Sequence, residues 1–178
     1  NRAPLVITYH QGVILSGALG VVAGILTPTI ARPPWRSARR LLFTSADYGQ
    51  ASHVRPLLKG REEIIGELPN GVDVDFFTPG PVSAHLRGRY GLNPGDRVAL
   101  LVAALDRAHY FKGVPIFLQA LRDLPEQVHG VIVGDGDLRA GYEAQADALG
   151  VGDRVHFAGR VTAVELVGHY RLADVTVL

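Results

Sequence analysis

The chain has 178 residues and a formal net charge of +1, and 47% of its residues are apolar. This length supplies one good hydrophobic core or parts of two domains. The near-neutral charge argues against a dedicated nucleic-acid-binding protein, which normally carries a strong basic excess on one face. Because the chain has no cysteine, disulfides and thiolate metal sites are excluded.

Apolar runs alternate with helical patterns along the whole chain. Seven runs have the length and composition of β-strands, at residues 5–9, 41–44, 63–68, 98–104, 130–133, 154–157 and 174–178. Strand and helix in alternation predict parallel sheets that helices cover on both faces. The predicted fold class is therefore α/β.

Both ends of the chain adjoin predicted strands. Asn1 stands just before the first strand, Leu178 ends the last one, and the chain contains no methionine. We therefore expect an internal fragment of a longer protein, so that a missing signal peptide or catalytic residue says nothing about the parent.

An uncharged run covers residues 12–31, and four arginines follow it around Pro33-Pro34-Trp35: Arg32, Arg36, Arg39 and Arg40. Three interpretations remain open: a helix packed inside the domain, a surface helix that touches lipid with its arginines at the headgroups, and a membrane span. Four glycines and Pro28 lower the helix propensity, which argues against the span.

One stretch, residues 69–81, interrupts the alternation. Its Asn70-Gly71 turn and its three prolines are typical of an ordered connector, and a new helix is expected near Val82. We therefore predict two domains, residues 1–78 and 79–178. Asn70 and Gly71 then lie between domains, where clefts form.

Local signals predict where several helices begin and end. Ser45 and Asp47 are expected to cap the helix after the second strand, and Thr162 with Glu165 forms a capping box. Gly150 stands where a left-handed cap is expected, after a helix with one partly apolar stripe: Leu138, Tyr142, Gln145, Ala146 and Leu149.

The loops after the strands at 98–104, 131–133 and 155–157 are rich in small or charged residues, and each leads into a helix. In an open α/β sheet such loops converge on one crevice, where anionic ligands bind. Lys112, one of two lysines among 18 basic residues, precedes Gly113 and a helix with Pro115 in its first turn. These features favour a phosphate site, and a solvated surface lysine is the alternative. Asp106 and His109 share this loop and are expected to shape it.

Two further groups of residues are candidates for a ligand site. Gly134-Asp135-Gly136 resembles part of a dinucleotide fingerprint, but Arg139 replaces its third glycine, so a nicotinamide cofactor is disfavoured and a plain tight turn is the alternative. His10 follows the first strand, where it could bind a sugar hydroxyl or transfer a proton, or be structural. The other six histidines form no ligand-like cluster, so no metal site is predicted.

Six motifs in order resemble glycosyltransferase family 4: Thr8-Tyr9-His10, Thr44-Ser45 with Tyr48, Pro69-Asn70-Gly71-Val72-Asp73, Phe111-Lys112-Gly113, Val133-Gly134-Asp135-Gly136 and Phe157-Ala158-Gly159-Arg160-Val161. The resemblance covers essentially the whole chain. It implies the GT-B architecture, in which two Rossmann-like domains with parallel sheets face each other across a cleft. On this basis residues 1–78 belong to the acceptor-side domain and residues 79–178 to the nucleotide-sugar donor domain.

The resemblance also implies roles for single residues. Lys112 corresponds to a lysine that contacts the donor diphosphate, and His10 to a histidine near the transferred sugar, so both are expected to be catalytic. The other residues expected to bind the donor are Asp106, Gly134, Asp135, Gly136, Arg160 and Val161.

The sequence departs from the family pattern at one position. Many members have a Gly-Arg pair after the strand at 98–104, and this chain has Ala103-Ala104. Either Lys112 and its longer loop supply the positive charge for the phosphates alone, which we favour, or Arg107 takes the place of the missing arginine.

The implied function is transfer of a sugar from a nucleotide diphosphate sugar to an acceptor hydroxyl, with retention at the anomeric carbon and without a metal or cofactor. The implied partners are that donor and a glycan or lipid-linked acceptor, and the expected location is the cytoplasm. The uncharged run and its arginine-rich tail, rather than the resemblance, suggest peripheral membrane contact through residues 12–40 at the inner face of the membrane. The fragment alone is expected to be inactive, because it lacks parts of both half-sites. The alternatives are a catalytically silent nucleotide-sugar-binding protein and an NAD-dependent Rossmann oxidoreductase.

Overall fold

A computed structural model of the chain describes residues 3–10, 22, 30, 32–52 and 54–178. The chain forms two compact units, Asn1–Val72 and Asp73–Leu178. The domain boundary that the sequence places after Thr78 stays a prediction. Most of the uncharged run at 12–31 lies outside the described residues, and the described part contains no helix that is both long and apolar enough to cross a bilayer.

The first unit is built on a parallel three-stranded sheet with the order β1-β2-β3. A helical segment at residues 32–37 precedes β2, and the short helix α1 follows it. The elements are β1 (Leu5–Tyr9), β2 (Ala38–Phe43), α1 (Ala46–Ala51) and β3 (Ile65–Glu67).

Aromatic side chains organise the core of the first unit. The Tyr9 ring lies 5.5 Å from that of Trp35 and 5.8 Å from that of Phe43, in edge-to-face geometry. Arg61 donates hydrogen bonds to the carbonyls of Trp35, Arg36 and Ala38, and so ties the segment before β2 to the turn before β3. These contacts hold the strands of the small sheet in place.

The second unit is built on a parallel four-stranded sheet with the order β6-β5-β4-β7. Its helices and strands are α2 (Ala84–Arg89), β4 (Arg97–Val102), α3 (Val114–Asp123), β5 (Val128–Val133), α4 (Arg139–Ala148), β6 (Val155–Gly159), α5 (Ala163–Leu172) and β7 (Val175–Val177).

Helices cover both faces of this sheet. Successive side chains of β4 point to opposite faces, so each face packs against its own set of helices. Ala99 and Leu101 pack with the buried side chains of α3 and α4. Val98 and Leu100 pack with α2, α5 and the chain that follows α2. The predicted α/β fold with parallel sheets is confirmed.

All the strands expected from the sequence are present, and most differ by a few residues at their ends. The largest difference is at β2, which begins at Ala38 rather than Leu41. Arg39 and Arg40 are exposed residues of this strand, so its first half lacks the apolar character that marks a strand in the sequence. β4 ends at Val102, and Ala103 continues the hydrogen-bonding pattern by donating to the Val133 carbonyl.

The local signals for helix ends are confirmed. The Ser45 side chain accepts from the Tyr48 amide, and Thr162 and Glu165 form a reciprocal capping box. Gly150 has a left-handed backbone with φ of 71°. The helix expected near Val82 begins at Ala84, after the N-cap Ser83.

Candidate functional site

The strand order of the second unit reverses at β4. The chain proceeds from β4 through β5 to β6 in one direction, and α5 then carries it back to β7 on the other side of β4. In open parallel sheets, ligands bind outside the carboxyl ends of the strands at such a reversal. The topology therefore directs attention to the loop after β4 and its neighbours.

The loops after β4 and β5 are hydrogen-bonded to each other. The Leu105 amide donates to the Asp135 carbonyl, and the Leu138 amide donates to the Leu105 carbonyl. The Arg107 guanidinium also lies 3.7 Å from the Asp137 carboxylate, although both side chains are exposed. The predicted site residues of these two loops are thus brought together at the reversal point.

The close approach of the two loops requires glycine at two positions. A Cβ at Gly134 would overlap the carbonyl oxygen of Ala103, and the backbone there has φ of +138°, which side-chain-bearing residues rarely adopt. A Cβ at Gly136 would overlap the carbonyl of Leu105. The glycines therefore permit backbone contact between the two loops. A plain tight turn, which was the alternative interpretation of the sequence, would not require this contact.

The lysine singled out in the sequence ends a short 3-10 turn at the carboxyl end of β4. This turn, Arg107–Lys112, begins at Asp106, whose carboxylate accepts hydrogen bonds from the amides of Ala108 and His109. Lys112 is half-buried, and its ammonium lies 5.9 Å from the centre of the Phe111 ring. It has no carboxylate partner among the residues that the structure describes. Its charge is therefore available to a ligand.

Gly113 connects this turn directly to α3. It has a left-handed backbone with φ of 68°, and Pro115 lies in the first turn of the helix. The expected position of Lys112 just before a helix N-terminus is confirmed, and the amides of such a terminus favour negative charge.

Arg139 stands where a dinucleotide fingerprint would have its third glycine, and it connects three elements. Its guanidinium lies 2.7 Å from Glu143 on α4 and 3.9 Å from Asp135, and it donates to the Phe157 carbonyl of β6. The hydrogen bond to Glu143 raises the pKa of Arg139. This role of Arg139 is not evident from the sequence, because its partner on β6 is 18 residues away.

The loop after β6 adjoins the glycine loop as well. The Gly134 amide donates to the Gly159 carbonyl at 2.9 Å. Arg160 is exposed, and Val161 packs partly against the core on the α5 face. Hydrogen bonds from the Thr162 backbone and side chain lower the pKa of Glu165 at the start of α5. The donor-binding residues expected in the second unit thus come from three loops at one edge of its sheet.

Two predicted site residues meet in the first unit. His10 Nδ1 lies 3.0 Å from the Asn70 side-chain oxygen, although the two residues are 60 positions apart. They follow β1 and β3, which are parallel, so they lie at the carboxyl edge of this small sheet. Gly71 is exposed beside them. The pairing of His10 with Asn70 was not evident from the sequence.

Metal ligation finds no support among the described side chains. Within the described ranges, no group of three or more His, Asp or Glu residues is arranged to hold a metal ion. The three loops of the second unit offer backbone amides, the Lys112 ammonium, the Arg160 guanidinium and the imidazole of His109, which are groups suited to an anionic ligand.

Comparisons with known proteins agree with this geometry. Residues 83–178, more than half of the chain, match the family described as Glycosyl transferases group 1. A GDP-mannose-dependent alpha-(1-6)-phosphatidylinositol monomannoside mannosyltransferase of Mycolicibacterium smegmatis is 38% identical over 120 residues, which are 65% of this chain and 30% of that protein. The D-rhamnosyltransferase WbpZ of Pseudomonas aeruginosa is 33% identical over 170 residues, which are 96% of this chain and 41% of that protein.

A solved structure shares the fold over nearly the whole chain. HepE of Anabaena, crystallised in complex with UDP-glucose, superposes with a TM-score of 0.73 and 25% sequence identity, covering 97% of this chain and 46% of that one. This chain thus spans less than half the length of each of these proteins. By its sequence match and its fold, the chain belongs to the Glycosyl transferases group 1 family.

Proposed function

We propose that the protein transfers a sugar from a nucleotide diphosphate sugar to an acceptor hydroxyl. The observation that supports this proposal is the joined pair of loops after β4 and β5 at the strand-order reversal, since Lys112 belongs to the first loop and Gly134 and Gly136 to the second. An ammonium without a carboxylate partner and close-packed glycines suit a diphosphate.

The related proteins support a nucleotide sugar as donor. The mycobacterial relative is named for its dependence on GDP-mannose, and HepE was crystallised with UDP-glucose. Since these two donors differ in base and in sugar, we propose a nucleotide diphosphate sugar as the donor and assign neither its base nor its sugar.

In the proposed reaction, the bond between the anomeric carbon and the diphosphate oxygen breaks, and both electrons stay on that oxygen. The acceptor oxygen bonds to the anomeric carbon on the same face, and its proton leaves with the diphosphate. The motif resemblance is the basis for four parts of this proposal: retention at the anomeric carbon, independence of a metal, the absence of a further cofactor, and membership of family 4. Lys112 would stabilise the departing charge, which is the main electrostatic requirement of the step.

The remaining expected residues have supporting roles in this proposal. Asn70 orients the imidazole of His10 toward the transferred sugar through their 3.0 Å contact. Asp135, Arg160 and Val161 bind the nucleotide with backbone or side-chain groups at the same sheet edge as Lys112. Asp106 acts through the turn that it caps.

A donor screen tests the function. The intact protein is incubated with UDP- and GDP-linked sugars and a panel of glycan and lipid-linked acceptors, and the released nucleoside diphosphate is measured. We expect release that depends on the acceptor, and a product whose anomeric configuration by NMR equals that of the donor. Binding of donors without any release would support the silent binding protein, and reduction of NAD would support the oxidoreductase.

We further propose peripheral contact with anionic membranes through residues 12–40. Arg32, Arg36, Arg39 and Arg40 are all exposed, and the mycobacterial relative is named for a phosphatidylinositol-based acceptor. Each basic residue near an anionic surface contributes about 1 kcal/mol.

Vesicle sedimentation at low salt tests this contact. We expect the double variant Arg36→Gln, Arg39→Gln to bind phosphatidylglycerol vesicles roughly thirtyfold more weakly than the unmodified protein. Lys59→Gln, which removes an exposed charge elsewhere in the same unit, serves as the control. Equal binding of the double variant would refute the contact.

A further inference from the structure

The loop after β4 contains a histidine that a carboxylate holds in one orientation. His109 Nδ1 lies 2.7 Å from the Asp106 carboxylate, and this hydrogen bond is the main cause that lowers the pKa of Asp106. An ionised carboxylate only accepts hydrogen bonds, so Nδ1 carries the proton. The other nitrogen, Nε2, is left for a different partner.

This pair is anchored to the glycine loop. A Cβ at Gly136 would lie 2.9 Å from the Asp106 amide nitrogen, so Asp106 directly borders the loop after β5. His109 and Lys112 lie on either side of Phe111 in sequence, with the imidazole 6.0 Å and the ammonium 5.9 Å from the centre of its ring. The imidazole and the ammonium are therefore both neighbours of the exposed Phe111 ring.

A second donor beside Lys112 would better match the charge of a diphosphate. A nucleoside diphosphate carries at least two negative charges, and Lys112 offers one positive charge. Arg107 lies near Asp137, Arg139 is held by Glu143, and the exposed Arg160 belongs to the loop after β6. The charged side chains in the same turn as His109 are Arg107 and Lys112, after the N-cap Asp106.

We propose that His109, held by Asp106, donates a hydrogen bond from Nε2 to the diphosphate of the donor and stabilises it as it departs. This inference rests on the proposed function. The histidine keeps its proton throughout, and the electron pair of the broken bond stays on the diphosphate oxygen. Asp106 is a positioning residue, because it acts only through the imidazole.

The test uses the intact protein with His109→Phe, His109→Gln and Asp106→Asn. We expect His109→Phe to lower kcat roughly 10- to 100-fold. His109→Gln keeps a side-chain donor and should recover part of this loss. Asp106→Asn keeps an acceptor for the turn amides, so it should lower kcat in the unmodified protein but have little further effect in the His109→Phe background, where no imidazole is left to position. His85→Gln removes an exposed histidine from α2 and should change nothing.

Calorimetric binding of GDP and UDP separates this inference from the proposed function. If the protein binds them without transferring sugar, the function fails, and His109 is still tested by weaker binding of His109→Phe at neutral pH. If the protein binds neither, both proposals fail. If it transfers sugar and His109→Phe keeps the rate and the affinity of the unmodified protein, the role of His109 alone is overturned.

Discussion

Replacing Lys112 by alanine in the intact protein should lower kcat about a hundredfold or more. The ammonium has no carboxylate partner among the described residues, so it is not needed for an ion pair in the fold. Removing one preorganised donor to a developing negative charge costs about 3 kcal/mol of transition-state stabilisation. Steady-state kinetics with the donor identified by the screen measure this loss.

Two further variants make the result for Lys112 specific. Lys59→Ala removes the other lysine of the chain and should leave kcat unchanged. Lys112→Arg keeps the charge but changes its geometry, so we expect partial recovery. The free energy of unfolding should stay within about 0.5 kcal/mol in all three variants. A kcat for Lys112→Ala equal to that of the unmodified protein would remove Lys112 from the site.

The architecture of the second unit was predictable because its signals are local. The four strands are short apolar runs, and Ser83, Thr162 and Gly150 mark helix ends by their own side chains or backbone. The position of Lys112 just before α3 was predictable for the same reason, because Gly113 and Pro115 mark the start of that helix in the sequence. Periodicity and capping therefore sufficed to put the predicted donor loops at one sheet edge.

Contacts between distant residues could not be predicted in the same way. Nothing near His10 in sequence points to Asn70, and nothing near Arg139 points to the Phe157 carbonyl. His129 and His156 stack with ring centres 5.5 Å apart, although neither forms a local pair, because β5 and β6 are neighbours. Such contacts depend on which strands are neighbours in the sheet, and the order of the strands is not given by the local signals of each strand.

Replacing Gly134 by alanine should destabilise the second unit by about 3 kcal/mol or more. The new Cβ would overlap the Ala103 carbonyl, and φ of +138° is strained for any residue with a side chain. The one tryptophan, Trp35, lies in the first unit, so its fluorescence would not report on unfolding of the second. Amide hydrogen exchange in β4 and β5 is therefore the suitable measurement. Exchange of these amides should become faster by about two orders of magnitude.

The control for this substitution lies seven residues away, in α4. A Cβ at Gly141 would meet nothing within 4 Å, and alanine has the higher helix propensity, so Gly141→Ala should stabilise the unit by up to about 1 kcal/mol. Opposite signs for the same chemical change would show that Gly134 is required by the contact between the loops. If Gly134→Ala protected β4 and β5 as well as Gly141→Ala does, the loops would not be joined as described. Lys112 and the glycine loop would then have no common surface on which to bind a diphosphate.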